Sequence, residues 1–298
     1  MSEARDAVAF VGLGKMGLPM AKRLVEGGIR TVGYDVGPAA RDSFAAAGGE
    51  VADSAAVAVA GAATVILMLP DSGIVESVLD DPEVVAALAP GTTVVDMSSS
   101  EPARTRALAE RLAARGIPMI DAPVSGGVAR AVTGKLAVMV GGDDADVERA
   151  EPLLTLLGTI YRSGGVGSGH AVKALNNLMS ATHLLVTSEA ILAGRRFGLD
   201  PAQVLEIVNA SSGRSGSTEN KWPRFVLPGT YDSGFGLRLM LKDMRIAVAL
   251  ADQVGLPSRL GADAVELWAK AAEELPADAD HTEIARWLDE RAAPPAGD

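Results

Sequence analysis

The stretch AVAFVGLGKMG, residues 7–17, decides the fold of this chain. An apolar run that predicts a buried strand leads directly into glycines in the spacing G-x-G-x-x-G, and a helical pattern from Pro19 to Glu26 follows. Such glycines permit a tight turn, a close approach of backbone to phosphate and close helix–strand contact. The helix start offers N–H groups and a positive dipole end to an anion. The stretch therefore predicts a dinucleotide-binding loop, formed by Gly12, Leu13, Gly14, Lys15, Met16 and Gly17.

An acidic residue closes the second predicted strand. Asp35 follows Val32-Gly33-Tyr34 and lies about 20 residues beyond the glycine loop, where such folds place a carboxylate that binds the adenosine ribose. That carboxylate would accept hydrogen bonds from the ribose hydroxyls and would repel a 2′-phosphate. The nearest following arginine is Arg41. We therefore expect NAD as the cofactor, with NADP less favoured.

Short apolar runs alternate with helical patterns through the first half of the chain. The runs are rich in Val and Ile, as strands buried on both faces of a parallel sheet are. The predicted strands are Ala7–Val11, Thr31–Tyr34, Val65–Leu69, Thr93–Asp96, Pro118–Asp121, Ala137–Val140 and Thr159–Tyr161. The helices predicted among them are Pro19–Glu26, Ile74–Leu79 and Pro102–Arg115. Strands alternating with helices indicate βαβ units.

The pattern becomes wholly helical after the glycine-rich segment SGGVGSG, residues 163–169. The segment Ala171–Phe197 predicts a helix of roughly 40 Å, apolar around most of its circumference, which neighbours or a partner subunit should bury. Further helices are predicted at Pro201–Ala210, Leu239–Val254, Ser258–Glu274 and His281–Arg291. We expect an α/β Rossmann domain with a doubly wound, mostly parallel sheet at residues 1–164 and an all-α domain at residues 165–298 that begins with the long interdomain helix. The apolar helix also favours a homodimer or homotetramer.

Composition and charge narrow the classes of function. The chain of 298 residues has a net charge of -11 and no cysteine. The acidic surface disfavours nucleic acid as a partner, and the absence of cysteine excludes disulfides and thiolate catalysis. The start of the chain does not resemble a signal peptide, and no apolar run is long enough to span a membrane. We therefore expect a cytoplasmic protein with no membrane partner.

Four ordered motifs resemble those of the β-hydroxyacid dehydrogenase family, which includes 3-hydroxyisobutyrate dehydrogenase and tartronate semialdehyde reductase. GLGKMGLPMAKRL from Gly12 resembles the N-terminal signature, and DAPVSGG at 121–127 resembles the substrate-binding segment. GSGHAVKALNN at 167–177 resembles the catalytic segment, and Lys242-Asp243 resembles the C-terminal cofactor motif. The resemblance covers nearly the whole chain.

The resemblance implies a role for each matching residue. Lys173 would be catalytic; Ser125, Gly126, Gly127 and Asn177 would bind the substrate; Leu69, Pro70 and Ser99 would line the cofactor; and Lys242 would lie near the nicotinamide. The implied reaction is NAD-dependent oxidation of a small anionic β-hydroxy acid, similar to 3-hydroxyisobutyrate, to its semialdehyde or keto acid. The residues at 98–100 are all serine where the family often has Ser-Thr at the last two of these positions, a change that keeps the hydroxyl.

The residue types suit that chemistry. Lys173 and Asn177 are four residues apart on a helix and share one face. Alcohol oxidation needs a base for the hydroxyl proton, and a lysine whose pKa is lowered by burial or by a second cation, such as Lys242, can serve in its neutral form. Two glycines after Ser125 let consecutive N–H groups converge on a carboxylate. Taken alone, Lys173 would be better interpreted as a lysine that extends from a partly buried helix to solvent.

Several alternatives stay open at this point. The same scaffold could reduce tartronate semialdehyde, a sulfonated aldehyde or an imine, although imine-reducing relatives usually carry another residue at the position of Lys173. A non-catalytic NAD-binding sensor is an alternative of a different class. Arg214 could pair with a substrate carboxylate or hold a loop, and Phe235 could cover the nicotinamide or belong to the core. The three histidines show no ligand spacing, so no metal is expected.

Overall fold

The computed structural model describes residues 7–291, and all its strands belong to one sheet. The strands are β1 (Val8–Val11), β2 (Thr31–Tyr34), β3 (Glu50–Val51), β4 (Thr64–Leu67), β5 (Thr93–Asp96), β6 (Met119–Asp121), β7 (Val124–Ser125), β8 (Leu136–Gly141) and β9 (Gly158–Gly164). Their order is β3-β2-β1-β4-β5-β6-β8-β7, with β9 paired to β8. Strands β1 to β6 run parallel, whereas β8 is antiparallel to β6 and β7.

This strand order confirms the predicted Rossmann fold with its doubly wound, mostly parallel sheet. The winding reverses between β1 and β4, and ligands of such sheets bind outside the carboxyl ends of the strands at that reversal. The glycine loop follows β1 directly, so it lies at this position.

Helices fill the rest of the fold. They are α1 (Gly17–Glu26), α2 (Pro38–Ala45), α3 (Ala55–Val59), α4 (Ser72–Leu79), α5 (Pro82–Ala87), α6 (Pro102–Ala113), α7 (Gly127–Val132), α8 (Asp144–Leu154), α9 (Ser168–Arg196), α10 (Pro201–Asn209), α11 (Leu237–Gln253), α12 (Arg259–Glu274) and α13 (Ile284–Arg291). A π-helix spans Ser217–Val226, and a 3₁₀ turn spans His281–Glu283.

The predicted strands and helices are all present, with ends that differ by a few residues. The sequence pattern missed several other elements, most of them short. Strands β3 and β7 have two residues each, too few to show a period. Helices α2, α3, α5, α7 and α8 were not predicted, nor was the π-helix. The helix predicted from His281 instead begins as a 3₁₀ turn and becomes α-helical only at Ile284.

The central strands β1, β4 and β5 are buried on both faces, which explains their continuous apolar runs. Within β1, Val8 and Phe10 belong to one apolar cluster, whereas Ala9 and Val11 belong to another. Since alternate residues of a strand point to opposite faces, both faces of β1 are covered. Each large side chain so buried contributes about 1.5–3 kcal/mol.

The chain forms two compact units, Met1–Lys173 and Ala174–Asp298. The second unit is helical, and its core contains all three tryptophans of the chain, Trp222, Trp268 and Trp287. One face of α9 is buried within the chain, whereas Val172, Leu175, Met179 and Val186 on another face are 41–56% exposed. Burial of that face by a partner subunit stays a prediction. None of the helices among residues 7–291 has the length and hydropathy of a membrane span. The domain boundary at residues 164/165 stays a prediction.

Candidate cofactor and substrate site

The three glycines of the loop differ in what surrounds them. A Cβ on Gly12, whose φ is +100°, would lie 2.3 Å from the carbonyl oxygen of Met68. A Cβ on Gly17 would lie 1.9 Å from the carbonyl oxygen of Gly12. Gly14 is exposed, and a Cβ there would meet no atom within 4 Å. The chain's own packing therefore requires glycine at 12 and 17, whereas Gly14 leaves open space for a phosphate to approach the backbone.

The start of α1 suits an anion. No side chain caps this helix at Met16, and its first turn holds no acidic residue. Its first N–H groups, together with the helix dipole, can therefore bind a pyrophosphate.

Asp35 is fixed by the backbone around it. Its Oδ2 accepts a hydrogen bond of 2.7 Å from Leu13 N, and its Oδ1 accepts one of 2.7 Å from Gly37 N. Arg41 donates to the carbonyl oxygen of Asp35 at 2.6 Å, not to the carboxylate. The carboxylate is thus held beside the glycine loop, and its remaining lone pairs can accept the ribose hydroxyls.

The segments after β4 and β5 are joined by hydrogen bonds. Leu69 N donates to Ser98 Oγ at 2.9 Å, and Ser100 Oγ donates to Asp96 Oδ2 at 2.8 Å. Ser98 and Ser100 are buried, whereas Ser99 is partly exposed and Pro70 is exposed. The structure thus places Leu69, Pro70 and Ser99 at the same edge of the sheet as the glycine loop and Asp35.

A buried cluster of polar side chains holds the beginning of α9. Asp121, at the end of β6, accepts hydrogen bonds from Gly167 N at 2.6 Å and His170 N at 2.8 Å. His170 Nδ1 lies 2.9 Å from Thr105 Oγ1, and His170 Nε2 lies 3.7 Å from Asp96 Oδ2. Burial raises the pKa of Asp121, against the opposing charge of His170. This cluster fixes the first turn of the helix that carries Lys173.

Ser125, Gly126 and Gly127 form the turn between β7 and α7. Both glycines have positive φ, +134° and +69°. Ser125 is partly exposed and Gly126 is exposed. Consecutive N–H groups in such a turn can face one anion, so the geometry is compatible with the expected carboxylate.

Lys173 and Asn177 lie one turn apart on α9, and both are buried, with exposures of 8% and 5%. Asn177 Nδ2 donates to Asp243 Oδ2 at 2.6 Å, and Asn176 Nδ2 donates to Asn177 Oδ1 at 3.1 Å. Lys242 Nζ lies 3.1 Å from Asp243 Oδ1. Asp243 therefore orients Asn177 and balances the charge of Lys242, which weakens the expected effect of Lys242 as a second cation.

The sequence left the roles of Arg214 and Phe235 open. Arg214 has a partner close in sequence, and Phe235 has a partner in the second unit. Arg214 Nε lies 3.0 Å from Glu219 Oε1, and the Arg214 side chain is exposed. The Phe235 ring packs edge-on against the His281 ring, with centroids 5.8 Å apart. In this structure Arg214 thus forms an ion pair within its own segment of the chain, and Phe235 packs against a buried histidine.

Sequence reasoning missed Asp243, Asp121 and His170 as supports of the site. Their partners are 66, 46 and 65 residues away in the chain. The sequence did contain a sign that Asp121 and His170 have a structural role, since each is a polar residue next to an apolar run inside a recognised motif.

Comparison with known proteins agrees with this geometry. Residues 7–192 match the family described as the NAD-binding domain of 6-phosphogluconate dehydrogenase. Residues 167–288 match the family described as the NAD-binding region of NADP-dependent 3-hydroxyisobutyrate dehydrogenase. The first match includes β1, β2, β4 and β5, whose carboxyl ends carry the candidate nucleotide site.

Individual relatives cover most of the chain. The 3-hydroxyisobutyrate dehydrogenase of Pseudomonas aeruginosa is 39% identical over 92% of this chain and 94% of its own length. The 2-(hydroxymethyl)glutarate dehydrogenase of Eubacterium barkeri is 36% identical over 88% of this chain and 87% of its own length. A structure of Mycobacterium tuberculosis 3-hydroxyisobutyrate dehydrogenase with L-serine superposes with a TM-score of 0.90 at 33% identity, over 97% of this chain and 100% of that one. The chain belongs to the β-hydroxyacid dehydrogenase family and is an NAD-dependent oxidoreductase.

Proposed function

We propose that this enzyme oxidises a small β-hydroxy acid, similar to 3-hydroxyisobutyrate, to its semialdehyde, with Lys173 as the general base. The observation that carries the proposal is a buried lysine one helical turn before a buried, oriented asparagine. The relatives named above act on hydroxy acids of this kind, which supports the same substrate class here. The domain division at residues 164/165, a cytoplasmic location and a homodimer or homotetramer belong to the same proposal.

Each proposed residue has one task in the reaction. The two glycines after Ser125 direct N–H groups at the substrate carboxylate, and Asn177 orients the hydroxyl. Lys173, in its neutral form, takes the hydroxyl proton at Nζ as the carbinol carbon loses hydride. NAD, when bound, supplies the hydride acceptor. In the reverse direction the protonated Nζ returns the proton to the forming alkoxide.

A substrate panel tests the proposal. NAD reduction would be followed by absorbance with 3-hydroxyisobutyrate, L-serine and 2-(hydroxymethyl)glutarate, and at least one should be turned over. Tight NAD binding without turnover of any hydroxy acid would favour the sensor instead, and turnover only of an aldehyde or imine would favour a reductase.

Asp35 should set the preference for NAD. Replacing it with serine removes the charge that repels a 2′-phosphate, so Asp35→Ser should raise the ratio of kcat/KM with NADP to that with NAD by at least about tenfold, or about 1.4 kcal/mol. Steady-state kinetics with both cofactors measures the ratio. Asp53→Ser is the matched control, since Asp53 is exposed and lies outside the proposed site. An unchanged ratio in Asp35→Ser would show that another group selects the cofactor.

A further inference from the structure

The π-helix Ser217–Val226 places a lysine against α9. Lys221 Nζ donates a hydrogen bond of 2.8 Å to Ser180 Oγ and lies 3.4 Å from the Ser180 carbonyl oxygen. The Lys221 side chain is partly buried. π-Helical turns are rare and frequently occur at functional sites. The position of Lys221 on this π-helix therefore favours a functional role for its charge.

The charge of Lys221 has no ion-pair partner among residues 7–291. Burial lowers its pKa to about 8, and Asp280 opposes that shift through its charge. The neighbouring His281 is also buried, and burial together with the charge of Lys221 lowers its pKa to about 4. At pH 7 the lysine is therefore mainly protonated and the histidine neutral. A partly buried cation without an ion-pair partner is costly because it has lost part of its hydration, and a bound anion would offset that cost.

Ser180 lies on the face of α9 that carries Lys173 and Asn177. Lys173, Asn177 and Ser180 are at positions i, i+4 and i+7 of one helix and therefore form a stripe. At 1.5 Å per residue, Ser180 is about 10 Å beyond Lys173 along the axis. A hydrogen bond at each end takes up about 2.8 Å, and the remaining span suits a carbon chain that joins the reacting hydroxyl to a distal anion.

We propose that Lys221, supported by Ser180, binds a second anionic group of the substrate, so that the enzyme prefers β-hydroxy acids with a distal carboxylate over monocarboxylic ones. This inference rests on the proposed function, because it takes Lys173 as the position of the reacting hydroxyl. The net charge of the chain is -11, so a doubly charged anion needs local cations to bind.

Kinetics with two substrates tests the inference. Lys221→Met keeps most of the side-chain volume without its charge. We expect it to lower kcat/KM for 2-(hydroxymethyl)glutarate by about 10- to 100-fold, mainly through KM, which is the range for losing a charge-assisted hydrogen bond. The loss with 3-hydroxyisobutyrate should be at least about tenfold smaller. Lys221→Arg should retain most of the preference for the dicarboxylate.

Lys270→Met is the matched control, because Lys270 is exposed and pairs with Glu266 at 2.7 Å on α12. It should leave the ratio of the two substrates as in the unmodified enzyme. An equal loss with both substrates in Lys221→Met would assign Lys221 a structural role and overturn the inference.

A binding measurement separates this inference from the proposed function. Glutarate and butyrate cannot be oxidised at a hydroxyl, and calorimetry of the NAD-saturated protein gives their affinities without turnover. We expect glutarate to bind at least about tenfold more tightly than butyrate, and Lys221→Met to abolish that difference. If this holds while no hydroxy acid is oxidised, the proposed function fails and the role of Lys221 stands. Equal affinities for glutarate and butyrate would refute the role of Lys221 even if oxidation is observed.

Discussion

Lys173→Ala is expected to lower kcat for hydroxy-acid oxidation by about 100- to 10,000-fold, the range for loss of a general base. Without Nζ, the hydroxyl proton has no acceptor at the point where hydride leaves. NAD binding should persist, because the glycine loop and Asp35 lie on other elements. Stopped-flow measurement of NAD reduction, together with NAD titration by fluorescence, gives both quantities.

Two further variants make the Lys173 result specific. Lys173→Arg keeps the positive charge but should stay inactive, since a guanidinium does not give up its proton at the pH of the assay. Lys135→Ala changes an exposed lysine of the first unit and should retain full activity. Retention of more than about a tenth of kcat in Lys173→Ala would remove Lys173 from the role of base.

Asp121→Ala is expected to lower the free energy of unfolding by about 3–5 kcal/mol. The change leaves Gly167 N and His170 N without the carboxylate that accepts their hydrogen bonds, and all of these groups are buried. Urea denaturation followed by circular dichroism measures the loss.

Asp81→Ala is a matched control for Asp121→Ala. Asp81 also accepts hydrogen bonds from two backbone N–H groups, of Glu83 at 2.8 Å and Val84 at 3.3 Å, but it is exposed at the start of α5. Water can replace its carboxylate, so we expect a loss of only about 1 kcal/mol. Equal losses in the two variants would mean that burial of Asp121 adds nothing to its role.

The geometry of the proposed nucleotide site could be predicted from sequence because its signals are local. The glycine loop, the strand before it and Asp35 lie within 29 residues, and their backbone conformations depend on the glycines themselves. The structure adds the reason that glycine is needed at 12 and 17, which is the close approach of the carbonyl groups of Met68 and Gly12.

The pairings that support the helix carrying Lys173 could not be predicted, because they join polar groups far apart in the chain. Nothing in the pattern around Asn177 specifies that Asp243 will accept its hydrogen bond. Lys221 was missed for a second reason. It lies on a π-helix, whose period differs from the 3.6 residues per turn on which helix prediction depends.

The two hydrogen bonds that hold the Asp35 carboxylate bear on the redesign of this enzyme. The side chain that we propose selects the cofactor also ties Leu13 of the glycine loop to Gly37 at the start of α2. Any substitution of Asp35 that lets a 2′-phosphate bind also removes the carboxylate that accepts hydrogen bonds from Leu13 N and Gly37 N. A successful conversion to NADP therefore calls for paired substitutions, one that supplies a cation for the phosphate and one that restores an acceptor for the loop.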